Sequence, residues 1–60
     1  MEEYELLKEL IESAEEDVRK ASGGNKAAGT RVRKRMQEVK DAAQTLRKKI
    51  LEVRSSEEAA

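Results

Sequence analysis

The 60-residue chain has no cysteine, no histidine, no proline and only one aromatic residue, Tyr4. The absence of cysteine excludes disulfides, thiolate metal sites and thiol redox chemistry. The absence of histidine removes the commonest general base and metal ligand in proteins. No run of about 18 apolar residues is present and no signal-peptide pattern begins the chain, so we expect neither a membrane-spanning helix nor a secretory precursor.

A chain of this length leaves little room for a hydrophobic core. Folding buries only about 60% of the unfolded surface at this size, and the apolar residues are mostly Leu, Ile, Val and Ala. Favourable burial and unfavourable ordering nearly cancel in so small a chain. We therefore predict a single domain that associates with itself, and we predict no enzyme activity and no cofactor.

Charged residues form 43% of the chain, and its net charge of zero conceals two halves of opposite sign. Residues 1–22 hold eight acids and three bases, whereas residues 23–60 hold ten bases and five acids. Such a division indicates either a hairpin whose halves attract each other or a basic surface that binds a polyanion. The overall charge balance does not choose between these two interpretations.

Two segments carry apolar residues at alternating intervals of three and four, the pattern of packed amphipathic helices. These residues are Tyr4, Leu7, Ile11, Ala14, Val18 and Ala21 in the first segment, and Val32, Met36, Val39, Ala43, Leu46, Ile50 and Val53 in the second. Between them, paired glycines permit the left-handed backbone that ends a helix, and Asn25 is a favoured cap for the next helix. We therefore predict an all-α antiparallel helical hairpin, with helices at about 2–22 and 26–54, a turn at 22–25 and a frayed tail at 55–60.

Further apolar residues widen both stripes beyond what one hairpin can cover. The flanking residues are Leu6, Leu10, Ala42 and Leu51. A second copy would cover them, so we predict a homodimer that forms a four-helix bundle. The residues expected near the centre of the packed faces are Leu7, Ile11, Leu46 and Ile50.

Three patterns that resemble catalytic or metal sites each lack a necessary part. The segment 24–30 has the outline of a phosphate-binding loop, but it lacks the lysine before Thr30 and a preceding strand. Glu9, Glu12 and Glu16 share a helix face, but no loop encloses a cation there, and such charge runs are usually solvated. The serines have no histidine to activate them. We therefore predict no catalytic residue and no metal ligand.

The most informative feature is a line of bases at a strict interval of seven in the second helix. Its members, which we call the basic stripe, are Lys26, Arg33, Lys40, Arg47 and Arg54. The stripe spans about 42 Å, somewhat more than one turn of duplex DNA. The facing positions of the first helix are Lys8, Glu15 and Ser22, so one acid opposes five bases. The stripe therefore meets either the acids of a second protomer or phosphates, and the lack of aromatic residues argues against base stacking.

The segment from Gly24 to Lys34, GNKAAGTRVRK, resembles the central motif of a family of small bacterial histone-like proteins, the linker-histone-like family first described in chlamydiae. A looser likeness covers about residues 4–54, through Glu38, Ala43 and Leu46-Arg47-Lys48. The resemblance implies a helical domain that binds and compacts DNA in the nucleoid without catalysis. It assigns DNA contact to Lys26, Arg31, Arg33 and Lys34. The sequence departs from the chlamydial pattern in lacking its long Lys-rich C-terminal tail, so the resemblance leaves open whether this module condenses DNA by itself.

The stripe and the resemblance together predict a sequence-nonspecific, nucleoid-associated protein of the bacterial cytoplasm. Its expected partners are double-stranded DNA and a second copy of itself, with no membrane and no small-molecule substrate. The candidate DNA-binding residues are Lys26, Arg31, Arg33, Lys34, Arg35, Lys40, Arg47 and Lys48. The start of the second helix should add free N–H groups and the positive end of the helix dipole. The alternative is a coiled-coil interaction module whose stripe docks an acidic protein helix.

Overall fold

A computed structural model describes residues 1–59 as two α-helices joined by a short turn, with side chains described for residues 1–55. Helix α1 is Glu2–Ser22 and helix α2 is Lys26–Ala59. The two helices pack against each other, and residues 1–59 contain no strand. The predicted all-α helical hairpin is confirmed. Neither helix is long and apolar enough, over the residues described, to cross a membrane.

The turn forms because Gly24 adopts a left-handed backbone conformation, with φ of +98°. The chain reverses so that the Gly24 N–H donates to the Ala21 carbonyl at 3.0 Å and the Asn25 N–H donates to the Lys20 carbonyl at 3.1 Å. These two bonds satisfy carbonyls at the end of α1. Asn25 Oδ1 then accepts a hydrogen bond from the Ala28 N–H at 2.9 Å, which caps α2 as the sequence predicts.

The contact between the helices consists mostly of small or half-buried residues. Its members on α1 are Leu7, Leu10, Ala14, Asp17 and Ala21, and on α2 they are Ala28, Val32, Arg35, Val39, Ala42 and Leu46. The buried apolar residues are Ala14, Ala28 and Ala42, and no large side chain of residues 1–55 is fully buried. Alanine allows two helices to approach closely, but each alanine removes little apolar area from water.

This contact face is rotated relative to the one that the apolar spacing predicted. Leu10 lies in the contact where Ile11 was expected, and Ala42 lies there instead of Ala43. Ile11 is 52% exposed, so within the single hairpin it does not lie in the packed face where the spacing placed it. Both faces share residues such as Leu7, and they differ by a helix rotation of only about 50°. The face adopted brings the two helices together through alanines.

Helix α2 is longer than α1 and extends beyond it. The helices have 21 and 34 residues, which corresponds to about 31 and 51 Å. Ile50 and Val53 lie on the part of α2 that extends past the N-terminal end of α1, and they are 49% and 42% exposed. Within the single hairpin, their predicted places in the packed face are therefore wrong. Helix α2 also continues to Ala59 instead of ending at 54, because serine, glutamate and alanine extend a helix where no glycine or proline stops it. Residue 60 lies outside the described residues.

We expect Gly24→Ala to destabilise the hairpin by about 1–2 kcal/mol, because a Cβ is strained at positive φ. Gly23→Ala is the matched control, since φ is −83° there and the nearest atom to a new Cβ is the Lys20 carbonyl oxygen at 3.4 Å. Chemical denaturation of both variants at one protein concentration measures the difference. Equal losses in the two variants would contradict the assigned turn.

Candidate nucleic-acid interface

The five residues of the basic stripe are all exposed on α2. Successive members are seven residues apart, so they follow nearly one line at steps of about 10.5 Å along the helix axis. Lys26, Arg33, Lys40 and Arg47 form no ion pair with any residue whose side chain is described. These four bases of the stripe therefore carry positive charge that the described residues of the hairpin do not neutralise.

Arg31, by contrast, joins the two helices through Asp17. Its Nε donates to both carboxylate oxygens of Asp17 at 3.1 Å, and its NH2 group donates to Oδ1 at 3.0 Å. These hydrogen bonds are the largest influence on the carboxyl group, and together with the attraction of the guanidinium they lower the pKa of Asp17. They also raise the pKa of Arg31. Arg31 therefore has a structural role in the hairpin, with its charge already paired.

Arg35 also has a carboxylate partner, since it donates to Glu38 at 2.7 Å within α2. The two arginines, Lys34, Asp17 and Glu38 line one shallow groove, so this part of the surface carries charges of both signs. Two bases of the cluster at the start of α2, Arg31 and Arg35, are thus each paired with a carboxylate within the hairpin.

Lys34 and Lys48 lie beside the stripe and are exposed. They occupy a second line on α2, turned by about 100° from the stripe, with Asp41 midway between them. Neither lysine forms an ion pair within residues 1–55. The eight candidate residues therefore divide into four on the stripe, two beside it and two held by carboxylates.

The start of α2 retains two backbone donors. The Ala28 N–H bonds to Asn25 Oδ1, and the Gly29 N–H bonds to the Asn25 carbonyl at 3.0 Å. The N–H groups of Lys26 and Ala27 have no acceptor among the described residues. Free N–H groups at the positive end of a helix dipole are suited to a phosphate oxygen.

Comparison with known protein families matches residues 1–56 to the family described as histone H1-like protein Hc1. The chain belongs to this family. The match includes both helices up to residue 56 and all eight candidate residues, and it confirms the likeness seen in the GNKAAGTRVRK segment. No curated protein and no solved structure matches the chain significantly. The histone H1-like description is that of a structural DNA-binding family, not of an enzyme family.

Sequence reasoning about this Hc1-family chain missed Asp17 as the partner of Arg31. A signal was nevertheless present, because Asp17 precedes Gly24 by seven residues and Arg31 follows it by seven. Residues equally distant from the turn of an antiparallel hairpin lie at the same level. An acid and a base placed symmetrically about the turn therefore predict an ion pair between the helices.

We expect the Hc1-family hairpin to lose stability as the pH falls below about 4. The pKa of Asp17 is lower in the folded state, so the stabilisation is present above the ordinary pKa of an aspartate and is lost as the pH falls through the lowered pKa. Asp17→Asn should remove this part of the pH dependence. Thermal unfolding of parent and variant between about pH 2 and pH 7 measures the effect.

Asp41→Asn is the control for this experiment, since it removes the same charge from a residue that forms no ion pair within residues 1–55. The control should keep the pH dependence of the parent. If Asp17→Asn and Asp41→Asn respond equally to pH, the Arg31–Asp17 pair does not stabilise the hairpin.

Proposed function

We propose that this protein binds double-stranded DNA without sequence preference, as a nucleoid-associated protein of the bacterial cytoplasm. Membership of the histone H1-like family supports DNA as the partner. The observation that carries the proposal is the row of exposed bases, Lys26, Arg33, Lys40 and Arg47, which have no carboxylate partner among the described residues.

The spacing of the basic stripe suits a phosphate backbone. Each step of about 10.5 Å along α2 is about three times the 3.4 Å rise per nucleotide of one DNA strand. Lysine and arginine neutralise phosphates and release condensed counterions, which gives affinity without reading the base sequence. Since the chain has no tryptophan or phenylalanine, stacking on bases contributes little.

The other candidate residues contribute differently to this surface. Lys34 and Lys48 extend it around α2, and the free N–H groups of Lys26 and Ala27 hold a phosphate at its beginning. Arg31 and Arg35 add positive potential near that end, but each already donates to a carboxylate. We therefore place the main contacts on the stripe.

We expect the double variant Arg33→Gln/Lys40→Gln to bind duplex DNA more weakly and equally so for unrelated sequences. Each lost phosphate contact lowers the slope of log affinity against log salt by about one, so the slope should fall by about two. Glutamine is a good helix former, so the helix should persist. Fluorescence titration with two unrelated duplexes at several salt concentrations measures both quantities.

The matched control is Arg19→Gln/Lys20→Gln on the acidic helix α1, which lowers the net charge by the same amount. It should retain nearly the salt slope of the parent. Equal losses in the two variants would show that only net charge matters, and the absence of any DNA binding by the parent would refute the proposal.

We also propose that the hairpin acts as a homodimer in the form of a four-helix bundle. The small buried core, made of Ala14, Ala28 and Ala42, supports this proposal. The single hairpin has 5016 Å² of accessible surface, whereas a compact monomer of its mass has about 4,000 Å². The excess is similar to the share of about 800 Å² that each partner buries in an ordinary protein interface.

We expect the melting temperature to rise with protein concentration, because association stabilises only the folded chain. Circular dichroism melts over a hundredfold range of concentration, combined with sedimentation equilibrium, measure this dependence. A stably folded monomer at low micromolar concentration would contradict the homodimer.

A further inference from the structure

Five of the large apolar side chains that the hairpin leaves exposed lie along one of its faces. Those of α1 are Tyr4, Ile11 and Val18, at intervals of seven, and those of α2 are Met36 and Ile50, fourteen residues apart. Ile11, Val18 and Met36 line one groove, so the two lines belong to the same side of the hairpin, which we call the apolar face. Ile11 is 52% exposed and Met36 is 40% exposed, although both side chains gain from burial.

Gly29 continues the apolar line of α2 toward the turn, seven residues before Met36. The helix is intact at Gly29, yet a Cβ at this position would meet nothing within 4 Å. Nothing in the hairpin therefore requires glycine, which costs a helix interior about 1 kcal/mol relative to alanine. The open space beside Gly29 leaves room for the backbone of another chain at this end of the apolar face.

The charges beside the apolar face determine how a second copy can lie on it. On α2, the basic stripe runs beside the apolar line, with Lys40 four residues after Met36. On α1, Glu12 and Glu15 line the same groove as Ile11. Contact of α2 with the α2 of another copy would bring two basic stripes together, and such like-charge contacts are strongly unfavourable. Contact of α1 with the α2 of another copy brings carboxylates against the stripe.

We propose that a second copy of this chain closes the apolar face, with α1 of each protomer lying against α2 of its partner. This inference specifies the homodimer proposed above and does not depend on DNA binding. Arg31 is level with Asp17 in the hairpin. Glu15 lies two residues farther from the turn than Asp17, and Arg33 lies two residues farther from the turn than Arg31, so Glu15 and Arg33 are also level. With the two-fold axis parallel to the helices, Glu15 of one protomer therefore lies level with the partner's Arg33.

The proposed dimer also leaves the basic stripe usable. Glu12 and Glu15 provide two carboxylates against the four stripe bases Lys26, Arg33, Lys40 and Arg47, so this part of the stripe stays positive. The two-fold axis places the stripes of the two protomers on opposite sides of the bundle. Closing the apolar face is thus compatible with phosphate contacts along both outer edges.

The first test replaces two residues of the apolar face, Ile11→Gln/Met36→Gln. We expect the dimer dissociation constant to rise at least about a hundredfold by sedimentation equilibrium in the absence of DNA. The control is Leu6→Gln, because Leu6 is as exposed as Ile11, at 52%, but lies about 140° around α1 from it. The control should stay within about threefold of the parent. A face variant that dimerises like the control overturns the proposal.

The second test reverses charges that no ion pair uses within residues 1–55, so it changes association without removing a contact inside the hairpin. Glu15→Arg and Arg33→Glu should each weaken the dimer about tenfold at low salt, because two symmetric pairs are lost. The double variant Glu15→Arg/Arg33→Glu should return to within about threefold of the parent, because the pair forms again between protomers.

An Arg33→Glu protein that dimerises more tightly than the parent overturns the arrangement, since only contact between two basic stripes would be relieved by that change. A double variant as weak as both single changes combined overturns it as well. Because no DNA is present, these outcomes leave the proposed DNA binding unaffected, and a monomeric parent would refute the homodimer together with its arrangement.

Discussion

Close packing of two helices through alanines is the constraint on which the rest of this structure depends. Ala14, Ala28 and Ala42 are the buried apolar residues of the hairpin, and they bring α1 and α2 together without burying large side chains. The leucine and valine residues of this contact are only half-buried. As a result, the larger apolar residues remain on an outer face, and the hairpin by itself has little hydrophobic stabilisation.

Acidic residues predominate on α1 and basic residues on α2, and this separation of charge has two consequences in the packed hairpin. Where an acid and a base lie at the same level beside the contact, as Asp17 and Arg31 do, they pair and hold the helices in one alignment. On the outward side of α2, Lys26, Arg33, Lys40 and Arg47 have no carboxylate partner among the residues whose side chains are described, so this part of the basic stripe remains charged. The available bases are therefore those that the hairpin geometry cannot neutralise, which makes the surface of α2 suitable for a polyanion such as DNA.

Features that depend on neighbouring residues could be predicted from the sequence. Gly24 and Asn25 form the expected turn and cap, because left-handed backbone and side-chain capping are properties of glycine and asparagine themselves. The apolar spacing predicted the two helices, and the segment that begins at Gly24 indicated the family. The exposure of the stripe follows from its interval of seven, since residues so spaced share one side of a helix.

Features that depend on residues distant in sequence required the tertiary structure. The apolar stripes are wide enough to fit two contact faces, and the choice of Leu10 over Ile11 depends on what the opposite helix presents at that level. The pairing of Arg31 with Asp17 likewise arises only when the helices are aligned. Composition and periodicity thus determined the helices, the turn and the line of bases. The fold alone decided which apolar side and which charges face outward, because helix rotation is set by contacts between chain segments and not by the pattern within one segment.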